Sequence, residues 1–248
     1  MALLHCLEAY ARGNLMGVQS TQRDWSPYLA HFTQWSAMRE LRALLKAPAA
    51  APSAPGGLTA ASASELPEPI QSRVERLLDV ADGKSWQVVS QILDGGRLLA
   101  RSPSEKHSIP PCVCLSECTL PGLVSLSERY GRFGFVFSKR EVFDAGGRPC
   151  LYVGRDEYTA LAQLGRDKAA DSAEGRLYAL SNIYEPPRSG AKPQDYTHER
   201  EWRVFGDITF ATTALRAMVA PTRFVPRLLE RLEGVSVIPI DMLFSWGA

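Results

Sequence analysis

The sequence predicts an α+β domain, with a mixed small sheet or sheets of short strands and flanking helices. Three observations carry that class. Short aromatic and β-branched runs, such as CVCLSE at 112–117, FGFVFS at 133–138 and the last run at 235–240, have the composition of half-buried or buried strands. Other stretches place apolar residues at helical spacing, as with Ile70, Val74, Leu77 and Leu78. Strand and helix patterns are interspersed along the chain without an internal repeat.

In chain order, residues 1–23 open with an apolar helical pattern (Leu3, Leu4, Leu7, Tyr10) and turn polar. Tyr28–Thr33 follows Pro27 in an aromatic-rich segment and reads as a short strand. Ser36 is the candidate N-cap, with Glu40 near the first turn, of a helix over Ala37–Lys46. Residues 47–67 are dominated by Ala, Pro, Ser and Gly, with too little apolar bulk to offset ordering entropy. They read as a flexible insertion in a single domain spanning 1–248, because the piece before them is too short to fold alone.

Glu68–Leu93 reads as two helices. Asp82-Gly83 marks the break and Ser85 caps the second, which carries Trp86, Val89, Ile92 and Leu93. Gly95-Gly96 ends it, and Arg97–Ala100 follows as a short strand or an extended exit. Cys112–Glu117 is a strand. Leu120–Tyr130 is a helix begun by Thr119 and Pro121. Phe133–Ser138 is the most strand-like run. Cys150–Val153 is a strand, Tyr158–Leu164 a helix, and 165–195 a polar, loop-rich stretch. After the charged run DYTHEREWRVFGDI at 195–208, a strand at Leu215–Val219, a helix at Phe224–Leu232 and a strand at Val235–Ile240 close the domain.

The net charge of +1 argues against a strongly electrostatic nucleic-acid or membrane binder, although a local basic patch stays open. The 45% apolar content supplies a proper core. The N-terminal stretch lacks a signal-peptide layout and no run is long enough to span a bilayer, so the expectation is a soluble cytoplasmic protein without a membrane partner. An odd count of 5 cysteines suits reduced thiols better than a disulfide framework.

The Cys112, Cys114, Cys118 run with nearby His107 invites a metal reading. Structural zinc wants two-residue spacers and a second ligand pair, and neither is present, so the cysteines read as small hydrophobes. No Gly-rich phosphate loop or nucleophile elbow occurs. Arg129, Arg132, Lys139 and Arg140 form a basic cluster that reads as a solvated rim sooner than a phosphate site. Acids cluster too poorly for a magnesium-dependent nuclease.

Two local patterns have chemical content. His31 and Thr33, two apart on a strand, share one face and can offer two hydrogen bonds to a ribose. Taken alone, such a histidine is more often structural. Glu199 and Glu201 also share a face if extended. Paired carboxylates can divide into one that binds and polarises and one that activates an acceptor. The plainer alternative is a Glu/Arg network on a strand edge.

The ordered set HFT (31–33), CVCLSE (112–117), YGRFGFVFSK (130–139), CLYV (150–153) and EREWRV (199–204) resembles the AbiGi-like abortive-infection family of bacterial phage-defence proteins. More distantly it is similar to the ADP-ribosyltransferase fold, including the DarT-type toxins that modify DNA. The resemblance implies an NAD-consuming toxin or effector. His31 with Thr33 would hold NAD, Ser138 or else Ser116 would supply the middle-strand serine, and Glu201 would be the catalytic carboxylate with Glu199 as its upstream partner. It implies NAD as substrate, a nucleic-acid or protein acceptor, and a cognate antitoxin or toxin. The alternative within the same family is a non-catalytic regulator. No arginine stands where the DNA-modifying toxins use one.

Overall fold

The computed structural model describes residues 26–33, 68–103, 109–117, 119–169, 171–185 and 197–244. The N-terminal helical start, the helix expected over Ala37–Lys46 and the 47–67 insertion lie outside them. Strands and helices both contribute, in an α+β arrangement around a mixed sheet.

That sheet is seven-stranded. β1 is Tyr28–Phe32, β3 Cys112–Glu117, β4 Gly134–Ser138, β5 Arg148–Pro149, β8 Glu201–Phe205, β10 Ala217–Ala220 and β11 Ser236–Pro239. Their order is β11-β10-β4-β1-β3-β8-β5. β10 and β11 run parallel and the remaining neighbours antiparallel. Two smaller sheets pair β2 (Arg97–Leu98) with β9 (Ile208–Thr209), and β6 (Leu151–Val153) with β7 (Ser181–Ile183).

Strand alternation sorts the core onto two faces. Leu29, Val113, Leu115, Phe135, Phe137 and Val204 join one cluster, which takes Val89 and Leu93 from α1 (Glu68–Gly95) and Leu228 from α6 (Val225–Arg231). Ala30, Phe32, Val136, Ala217 and Val219 join the other. It takes Leu123 and Leu126 from α2 (Leu120–Tyr130) and Ile240 from α7 (Ile240–Phe244). Between α2 and these last elements, α3 (Lys139–Asp144) follows β4 directly. A third small cluster, Tyr158, Ala162 and Tyr178, ties α4 (Arg155–Gly165) to α5 (Ala173–Leu180) beside β6 and β7. The two helices meet closely at Gly165, where an added Cβ would lie 2.2 Å from the Glu174 carbonyl oxygen.

Two expectations are corrected. The break at Asp82-Gly83 does not occur: α1 is one helix of 28 residues. Asp82 is buried and accepts hydrogen bonds from Arg132 at 2.9 Å and Arg223 at 2.8 Å. Tertiary pairing thus overrides the weak helix propensity of Asp and Gly. The loop-rich reading of 165–195 missed α5 and β7: Tyr178 of α5 packs on Tyr158 and Ala162 of α4, a contact that no local periodicity marks. Among the described residues, no helix is long and apolar enough to cross a membrane.

Candidate functional site

The sheet is incompletely zipped at its centre. β1 pairs with β4 along all of Tyr28–Phe32 but with β3 only at Leu29↔Glu117 and Ala30↔Ser116. β3 keeps its other edge on β8 from Cys112↔Phe205 to Ser116↔Glu201. Past Ala30 the β1–β3 ladder stops, and an open cleft of about 1300 Å³ lies at the split. His31, Thr33, Ser116, Glu199 and Glu201 all line it, together with Cys112, Cys114, Tyr130, Asn182 and Arg203.

His31 takes the place of a ladder bond. Its Nδ1 lies 2.8 Å from the Cys114 carbonyl oxygen, one of the backbone acceptors that the split leaves without β1. Burial holds the imidazole below its ordinary pKa, although the Cys114 carbonyl works the other way. The ring is therefore neutral at pH 7. Facing a carbonyl, Nδ1 carries the proton and donates, which leaves Nε2 as an acceptor. Thr33 follows β1. Its amide donates to the Phe133 carbonyl at 3.0 Å and its hydroxyl only weakly, at 3.5 Å.

Glu199 and Glu201 reach the cleft by a route that the extended reading did not foresee. Glu199 closes a 3₁₀ turn, Thr197–Glu199, and Arg200 adopts a left-handed φ of 44° before β8 begins. For a residue with a Cβ, that conformation is held against strain of about 1–3 kcal/mol by its surroundings. The turn places the two carboxylates in separate nests. Glu199 is buried, accepts from Tyr130 Oη at 2.8 and 2.9 Å and pairs with Arg129. Burial first, and then the Glu199 carboxylate, push the Tyr130 hydroxyl well above its usual pKa, so it stays a donor. Tyr130 ends α2 against Gly131, whose φ of 125° and close approach to the Thr33 carbonyl exclude a side chain; an added Cβ would lie 2.5 Å from that oxygen.

Glu201 opens β8 and pairs with Ser116 across the ladder. Arg203 grips it from the same strand face, Nε to Oε1 and Nη2 to Oε2, each at 3.0 Å. Asn182 Nδ2 adds a longer bond of 3.3 Å, and the Cys114 and Cys150 thiols beside the carboxylate favour its charged form. Burial pushes the carboxyl pKa up, but Arg203 and the donors outweigh it, so Glu201 is held below the usual carboxylate range and stays charged. Arg203 also donates to the Ala179 carbonyl at 2.6 Å, tying β8 to the end of α5.

Ser138 lies apart from this group. Its hydroxyl accepts from the Glu141 amide at 3.2 Å while Glu141 Oε2 accepts from the Ser138 amide at 3.1 Å, a capping box that starts α3. Ser116, the alternative middle-strand serine, does face the cleft, and its hydroxyl carries no hydrogen bond among the described residues. The basic cluster is mostly no solvated rim: Arg129 pairs with Glu199, Arg132 with Asp82 and Asp241, and Lys139 with Glu117, while Arg140 alone is strongly exposed beside Asp144.

Tyr130, Asn182, Arg203 and Arg101 also line the cleft, and the sequence reading assigned them no role there. Alternation in Glu201-Trp202-Arg203 was the available signal for Arg203, since residues two apart on a strand share a face. Nothing local marked Asn182 or Tyr130. Among the described residues, no group of three or more His, Cys, Asp or Glu side chains is arranged to hold a metal ion. The chain matches no protein-family model, and neither the curated proteins nor the solved structures yield a similar protein.

Proposed function

We propose that the protein is an NAD-dependent ADP-ribosyltransferase-like toxin or effector of antiphage defence, acting on a nucleic-acid or protein acceptor. One observation supports this above the rest: His31 and Glu201, 170 residues apart in the chain, both line one cleft at the split between β1 and β3. The residues suit a dinucleotide. The cleft, at about 1300 Å³, exceeds the roughly 300–1,000 Å³ usual for ligand pockets. His31 Nε2 and the Thr33 and Ser116 hydroxyls offer acceptors and donors to sugar hydroxyls. Arg101, exposed on the same lining and without an ion pair among the described residues, offers a cation to phosphate oxygens.

In this reading Glu201 accepts a hydrogen bond from a ribose hydroxyl and stabilises the positive charge that grows at the anomeric carbon as nicotinamide departs. A fixed carboxylate in a partly dry cleft supplies several kcal/mol to such a step. Asn182, whose 3.3 Å bond to Glu201 is longer than either Arg203 contact, is the donor that the ribose hydroxyl replaces. Glu199, held by Tyr130 and Arg129, is a positioning group for the incoming acceptor.

A second reading is a regulator of the same defence family that acts through protein contacts. The pairing of Glu201 favours it, because a carboxylate already holding Arg203 and Asn182 also serves as a purely structural ion pair. Incubation of the purified protein with NAD labelled in its adenylate half, with and without cell lysate, decides between them. Transfer of label to protein or nucleic acid, or release of nicotinamide, is the expected outcome. Intact NAD under all conditions would leave the regulator.

A further inference from the structure

The thiols around the cleft are a feature that the transferase reading leaves unused. Cys112 and Cys114 alternate onto the same face of β3, the face that carries Ser116. Their Sγ atoms lie 3.8 Å apart and both residues line the cleft. Neither is in a disulfide. Glu201 lines the same cleft, and its strand β8 pairs with β3 at Cys114↔Arg203 and Ser116↔Glu201.

We propose that Cys112 and Cys114 form a vicinal-dithiol site for a soft, thiophilic centre of low coordination number, of the kind trivalent arsenic or monovalent copper provides. Soft sulfur ligands select such ions. Two residues along a strand are about 6.6–6.8 Å apart at Cα, the outer edge of the roughly 4.4–6.8 Å that a disulfide spans. Direct S–S closure is therefore strained. A bridging atom that bonds both sulfurs needs no such closure, and the present 3.8 Å separation already suits it. Among the described residues no group of three or more His, Cys, Asp or Glu side chains is arranged to hold a metal ion, so the pair suits a centre of low coordination number. A bound centre puts bulk in the cleft that His31 and Glu201 also line. The binding itself does not depend on the transferase reading; inhibition of NAD turnover by the bound centre does.

Phenylarsine oxide is the probe. It condenses with two thiols, forming two As–S bonds and releasing one water, with no change of oxidation state. Intact-mass analysis should show one phenylarsenic group per chain. Peptide mapping after iodoacetamide should show Cys112 and Cys114 protected together, and a small dithiol but not a monothiol should reverse the protection. Cys112→Ser and Cys114→Ser should each abolish the adduct, whereas Cys150→Ser should keep it. The mapping uses the unaltered chain, so the result stands even where a serine variant fails to fold. Separate reactivity of the two thiols, removal of arsenic by a monothiol, or an adduct that survives in a folded Cys112→Ser variant would overturn the assignment. NAD turnover measured on the loaded protein is a separate readout: full arsenic loading without any turnover in the unloaded protein would sink the transferase reading and leave the dithiol site standing.

Discussion

Glu201 and Arg203 stand two residues apart on β8 and bind each other on one face, the guanidinium reaching both carboxylate oxygens at 3.0 Å. Both side chains are buried. From Arg203 the network continues to the Ala179 carbonyl, and from Glu201 to Asn182 and, through its backbone amide, to the Tyr152 hydroxyl at 2.9 Å. The pair thus joins the main sheet to the β6–β7 and α4–α5 layer along one wall of the cleft.

Removing one partner should be far worse than removing both. Arg203→Met leaves an unpaired buried carboxylate and should lower stability by about 3–5 kcal/mol, read from the denaturant midpoint. Adding Glu201→Gln to that variant should recover a substantial part. Equal losses in the single and double variants would show that the two groups do not depend on each other.

Glu201→Gln keeps shape and removes charge. Under the transferase reading, label transfer from NAD should fall at least about a hundredfold, the scale found on removing one such stabiliser. The companion measurement is the binding of an intact substrate, which the isosteric variant should largely keep. An unchanged transfer rate would take Glu201 out of the reaction.

Acid should weaken the protein through His31. Its folded pKa lies below the ordinary 6.5, so the unfolded chain binds a proton in a range where the folded ring does not. Stability from this group is complete above about pH 6.5 and drains away as pH falls through that value toward the folded pKa. Denaturant midpoints taken between about pH 8 and about pH 5 should therefore decline less steeply for His31→Gln than for the wild-type chain. Parallel declines would deny His31 that part.

Ser138→Ala tests the serine that the resemblance had put in the site. Loss of its capping box should cost about 0.5–2 kcal/mol at the start of α3. NAD turnover should be untouched, because Ser138 is not among the cleft lining. Ser116→Ala should show the reverse pattern, with little loss of stability and weaker substrate binding measured as a higher KM.

Arg200, with its φ of 44°, offers a test of stored strain between the two glutamates. Arg200→Gly removes the Cβ conflict along with a partly exposed ion pair to Glu117 at 3.3 Å, and should leave stability within about 1 kcal/mol of wild type. Arg200→Val keeps the conflict and adds β-branching. It should fall below the glycine variant by about 1–2 kcal/mol in thermal or denaturant unfolding.

Much of this was readable before any coordinates. The α+β class, the strands at CVCLSE and FGFVFS, the cap at Thr119 and the stop at Gly95-Gly96 follow from local patterns, because alternation, helical spacing and turn chemistry act over a few residues. Local pattern failed where distant partners outweighed propensity. Asp82-Gly83 reads as a break, yet Arg132 and Arg223 hold the helix through it. Ser138 is a different case: the resemblance put it in the site, whereas its own neighbour Glu141, three residues later, makes it a cap.

The sequence by itself determined which side chains have chemistry to offer and which share a strand face: Cys112 with Cys114, and Glu201 with Arg203. Only the tertiary structure decided that β1 parts from β3 after Ala30, that His31 fills the gap with its ring on the Cys114 carbonyl, and that Glu199 turns away from β8 to meet Tyr130. The reason is range. Alternation is a property of one strand, whereas a split in a sheet depends on ladder bonds between segments more than eighty residues apart, as from His31 to Cys114 with a separation of 83.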